Sequence, residues 1–182
     1  MTFILLIGTV GVILTLFFIK PLTGKVGSNH KLVHKLKDTK WFQNHWLAGM
    51  FLFIVNAVLF FSTGLILYVF VLTYFLIPYV HLFIMLFAAI VSIFLWILIY
   101  KAWQGTKINR LKMGFIGSSF YIVLTVIFVY WLLTLKPSYP GDDTFMGAIG
   151  LLFSIIVTSV AFITCFVITG FYKNENKQRI DI

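Results

Sequence analysis

The chain has 182 residues, 61% of them hydrophobic and 10% charged, with a formal net charge of +9 and a mean hydropathy of +1.04. Soluble domains carry about 25% charged residues, so this composition excludes one and places the chain in a bilayer as a single small membrane domain. The cations sit in short segments beside apolar runs, which points to anionic lipid rather than nucleic acid. The single cysteine, Cys165, excludes an intrachain disulfide and exchange chemistry through a cysteine pair.

The first apolar run covers residues 2–19. No Lys or Arg precedes it, and its end, Leu16-Phe17-Phe18-Ile19-Lys20, lacks the small residues of a signal-peptidase site, so a retained first spanning helix is expected. Gly8, Gly11 and Thr15 lie on one side of that helix and would let another approach. Residues 20–40 then hold six lysines against one acid, Asp38. Within them Ser28 or Asn29 can cap a short helix over about residues 30–42. Such a helix would turn Leu32, Val33 and Leu36 toward the membrane and lay Lys31, Lys35, Lys37 and Lys40 on anionic headgroups.

Residues 41–100 contain no Asp, Glu, Lys or Arg. A run of that length is too long for one span of about 20 residues and suits two. The pattern predicts spans at 46–68 and 79–100, the latter with Trp96 and Trp103 near its inner end. Residues 73–78 form the turn, where Pro78 cannot donate a backbone hydrogen bond and Tyr68, Tyr74 and Tyr79 gather as interfacial aromatics. The loop at 101–112 carries Lys101, Lys107, Arg110 and Lys112 and no acid. A fourth span is expected at 113–135, an exposed turn rich in Pro, Gly and Asp at 136–143, a fifth span at 145–171, and a polar tail at 172–182. No internal repeat is apparent.

Five spans put both basic loops and the tail on one side, with 13 of the 14 Lys and Arg, and leave only Lys136 on the other. The positive-inside rule then sets the N-terminus outside and the C-terminus in the cytoplasm. The expected fold is an all-α integral membrane protein of the plasma membrane. It is a five-transmembrane-helix bundle with a short basic interfacial helix in the first cytoplasmic loop.

Two patterns inside the spans stand out. On the fifth, Gly147, Gly150, Ser154, Thr158, Ala161, Cys165 and Thr169 follow at steps of three and four and form a stripe about 100° wide, suited to close helix packing. On the second, Gly49, Asn56 and Thr63 recur every seven residues, and Asn56 is the one amide near mid-membrane. An amide facing lipid is costly, so Asn56, with Thr63, is expected to point inward to a polar contact.

The four histidines offer little as ligands. His45 and His81 fall at opposite membrane edges and cannot grip one haem edge, while His30, His34 and Asp38 share a helical face crowded by lysines that oppose a cation. No Asp, Glu, Lys or Arg stands within a span, and the adjacent Asp142 and Asp143 lie in a Pro-Gly turn where both are easily solvated. Phosphate-binding, nucleophile-elbow and zinc-helix motifs are missing. No cofactor and no metal is therefore expected. The expectation is a non-catalytic subunit, stabiliser or regulator of a larger membrane complex, in contact with a membrane protein partner or a second copy. The alternative is a small transporter or substrate-binding subunit for a mostly apolar solute.

Overall fold

A computed structural model describes residues 31–72, 80–137 and 144–171. The expected first span at 2–19, the turn at 73–78, most of the turn at 136–143 and the tail at 172–182 lie outside the described residues. Those described form helices and short connections, with no strand among them. They are α1 (Lys31–Lys37), a 3-10 turn (Lys40–Gln43), α2 (His45–Leu72), α3 (Val80–Ala102), α4 (Lys107–Leu133) and α5 (Phe145–Phe166). The last of these widens into a π-helical turn (Val167–Phe171). Helices α2 to α5 are each long and apolar enough to cross a membrane. An uncharged chain in lipid must satisfy its backbone groups internally, and the helix is the structure that does so within one segment.

Helix α4 begins at Lys107 rather than at Met113. Thr106 sits in extended backbone at the cap position, where its hydroxyl accepts from the Asn109 N–H at 3.4 Å. Lys107, Arg110 and Lys112 thus ride on the first turns of a span instead of in a loop. The Arg110 guanidinium lies 5.2 Å from the Tyr100 ring centroid, a cation–π contact that braces the start of α4 against the end of α3.

The basic helix ends earlier than expected. It breaks after Lys37, where the Thr39 hydroxyl donates back to the Lys35 carbonyl at 2.6 Å. Its apolar face turns onto the bundle: Val33 is buried and Leu36 packs against the core near Leu98 and Ile99 of α3. Membrane-facing positions had been expected for both, but the end of α3 offers them a closer apolar surface. Gln43 ties this corner together. Its Nε2 donates to the carbonyls of Lys37 (3.2 Å) and Ala102 (3.4 Å), and its Oε1 accepts from the Gln104 N–H (3.1 Å). The last carbonyls of α1 and α3, which lack partners within their helices, are closed by one side chain.

Helix α4 is central, flanked by α2 on one side and α5 on the other. Glycines set both approaches. The Leu52 side chain of α2 fills the space a Cβ on Gly117 would need, and a Cβ on Gly49 would lie 2.8 Å from that of Ile116. On the other side a Cβ on Gly114 would meet Thr169 Oγ1 at 2.9 Å and the Gly170 backbone nitrogen at 3.3 Å, so the π turn presses backbone to backbone on α4. Helix α3 joins only at the end that carries α1 and the cations, here the basic end. Its residues 96–100 and 102 are buried there, while no described side chain from 80 to 95 is.

Candidate functional site

Asn56 lies eleven residues, roughly 16 Å, into α2, so the bundle holds it well below the basic end. It is wholly buried. Its Nδ2 donates to the Gly117 carbonyl of α4 at 3.0 Å and to Cys165 Sγ of α5 at 3.7 Å. Its Oδ1 accepts from the Trp96 indole N–H of α3 at 2.8 Å and from the Tyr121 hydroxyl of α4 at 3.5 Å. A side-chain amide has two donor hydrogens and two acceptor lone pairs, and here each has a protein partner. The four described spanning helices converge on one neutral group. The Trp96 and Tyr121 rings meet edge to face, with centroids 6.2 Å apart, and close the cluster from the α3 side.

Glycine makes this geometry attainable. Because Gly117 has no side chain, α2 comes close enough for Asn56 to reach a carbonyl of α4, and Leu52, one turn away on α2, seats over the same glycine. Farther along, the Thr125 and Thr158 hydroxyls stand 2.8 Å apart across the α4–α5 contact. Each also lies within hydrogen-bond reach of a carbonyl one turn earlier on its own helix. Thr63 makes no such crossing, since its hydroxyl donates at 2.8 Å to Leu59 of α2 itself.

The stripe on α5 divides in two. Toward the basic end Thr158, Cys165 and Thr169 are buried and Ala161 packs against the core. Toward the far end Gly147 and Gly150 are exposed and Ser154 is half-buried, its hydroxyl turned to the Gly150 carbonyl. A Cβ added at Gly150 would meet nothing within 4 Å, and one at Gly147 only the Leu135 side chain at 3.8 Å.

Lys35, Lys37 and Lys40 are exposed, on or just beyond α1 with Lys31. His45 opens α2 at the basic end and His81 lies at the opposite end, in the first turn of α3. Among the described residues no three His, Cys, Asp or Glu come together.

Sequence reasoning singled out Asn56 and Cys165 separately but missed Trp96, Gly117 and Tyr121, which join them. A signal was present. Gly114, Gly117, Ser118, Tyr121 and Thr125 follow on α4 at steps of three, one, three and four, a small and polar series like that on α5. No protein-family model matches the chain, and no curated protein or solved structure is significantly similar to it.

Proposed function

We propose that the chain is a non-catalytic polytopic membrane protein, a subunit, stabiliser or regulator of a larger membrane complex in the plasma membrane. The observation that carries this is the division of the α5 stripe. The same small-residue pattern that brings α4 and α5 together continues over Gly147, Gly150 and Ser154, where the described residues leave both glycines exposed and Ser154 half-buried. A second membrane protein, or a second copy of this chain, is the natural occupant of such a surface in lipid, where small residues permit close approach. The filled state of Asn56 argues against the alternative of a transporter for an apolar solute, because the polar group nearest mid-membrane holds helices and has no free valence for cargo. For catalysis the four described spans offer no Asp or Glu, and their two histidines, His45 and His81, stand at opposite ends of the bundle.

The membrane placement has five spans, with residues 2–19 as the first, the N-terminus outside and the basic end in the cytoplasm. There α1 lies at the interface with Lys31, Lys35, Lys37 and Lys40 on anionic headgroups. The placement has its own test. Cysteines introduced as Ser28→Cys, Asn109→Cys and Ser138→Cys are offered to an impermeant thiol reagent on intact cells. The wild-type Cys165 is wholly buried and can stay. Labelling is expected at 138 alone, and labelling at 28 or 109 with none at 138 reverses the orientation. Mild-detergent copurification with mass spectrometry tests the role. A stoichiometric membrane protein is expected, whereas a monodisperse monomer carrying a small molecule favours the transporter.

A further inference from the structure

At the basic end a cleft of about 490 Å³ opens between α2, α4 and α5. Its lining has two zones. His45 and Trp46 from the first turn of α2 and Lys112 of α4 are the lining residues that carry polar groups, while Leu111, Phe115, Ile116 and Phe166 are apolar. Phe115 and Ile116 follow Lys112 by three and four residues, one helical turn or about 5 Å deeper along α4. Phe115 meets Phe166 edge to face at 6.2 Å, and Phe166 stacks on Phe162 at 6.1 Å, which makes a firm aromatic wall. The cleft faces sideways out of the bundle, since Trp46 is 62% and Phe115 53% exposed.

Charge says what suits it. Among the described residues there is one acid, Asp38, against nine Lys and Arg, eight of them at this end, and neither Asp38 nor any other acid lines the cleft beside Lys112. A ligand that matches both zones carries a negative group at the level of Lys112 and a hydrocarbon chain a turn deeper. A peptide helix docked in the cleft would have to bring its own carboxylate to the level of Lys112, whereas an anionic phospholipid carries the charge and the apolar chain in one molecule. We propose that this cleft is a binding site for one anionic phospholipid. Its phosphate is held by the Lys112 ammonium with the His45 and Trp46 ring nitrogens, and one acyl chain lies along Phe115, Ile116 and Phe166. The Trp46 indole, apolar in body with a donor at its edge, suits the boundary between headgroup and chain.

The proposal rests on the membrane placement above and is independent of the subunit role. Its test uses the full chain, purified and returned to vesicles that contain a phosphatidylglycerol with a photoreactive diazirine on one acyl chain, or the matching phosphatidylcholine. Phosphatidylglycerol should label peptides that contain Phe115 or Phe166, in clear excess over phosphatidylcholine. Removing one lysine from a lipid surface weakens attraction roughly fivefold, and Lys112→Gln should reduce this labelling by about that factor. Lys107→Gln removes an equal charge from an exposed residue of the same helix that does not line the cleft, and should leave labelling within twofold. Equal labelling by both lipids, an equal loss in both variants, or labelled peptides that exclude α4 and α5 would each overturn the site. Thiol labelling in the predicted orientation alongside such a failure removes the lipid site alone, whereas reversed labelling removes the membrane placement with it.

Discussion

Asn56→Ala is expected to destabilise the bundle by about 2–3 kcal/mol, read as a shift of the unfolding midpoint in a denaturing-detergent titration. The largest part comes from Trp96. Its indole N–H is buried with Asn56 Oδ1 as its acceptor at 2.8 Å, and without that oxygen the donor stays desolvated and unpaired. The Gly117 carbonyl suffers less, because a helical carbonyl retains its backbone bond. Trp96→Phe alone should cost about 1 kcal/mol, since it removes one donor and leaves the Tyr121 hydroxyl in place. Together the two changes should cost less than their sum by about 0.5 kcal/mol or more, the mark of a direct bond. Strict additivity would mean that the amide and the indole do not interact.

Gly117→Ala and Gly150→Ala should move stability in opposite directions, although both place the same methyl group on a spanning helix. At Gly117 the added Cβ collides with Leu52, down to its Cβ at 2.6 Å, so rotating the end of the side chain does not relieve it and α2 itself must shift. Overpacking of this kind costs roughly 1–3 kcal/mol, and the shift also loosens the Asn56 bond to the Gly117 carbonyl. Leu52→Ala in the Gly117→Ala background should recover part of the loss, because it removes the Cγ and Cδ collisions and leaves only the one at Cβ. At Gly150 the methyl meets no described residue within 4 Å, and the ordinary helical preference for Ala over Gly, about 0.5–1 kcal/mol, should appear as a small gain. A loss at Gly150 matching that at Gly117 would mean that residues of this same chain cover the far half of the stripe.

Much of the architecture was legible because lipid imposes strong rules. Long uncharged runs identified the four described spans, and a lone amide in such a run had to turn inward, as Asn56 does. Its partners were not legible in the same way. Periodicity gives the face of one helix but not which face of another it meets, so the sequence placed Trp96 near the inner end of its span without showing that it is buried against Asn56. Charge misled at α4: Lys107, Arg110 and Lys112 looked like loop residues, and the cap at Thr106, one residue after Gly105, was the better sign of where the helix starts. The inward turn of Val33 depends on how far α3 extends beyond the core, which no local pattern reports.

The most direct test is Gly150→Leu, with chain stability and partner recovery measured side by side from one mild-detergent preparation. A leucine at this uncovered position should leave unfolding of the isolated chain within about 1 kcal/mol of wild type, since there is nothing within the described bundle for it to strike. It should also place a bulky group where a partner helix approaches, and a penalty of about 1 kcal/mol or more lowers recovery at least about fivefold. Stability unchanged with the partner lost is the predicted result. Undiminished partner recovery, or a wild-type preparation that yields only a monomer with a bound small molecule, would contradict it.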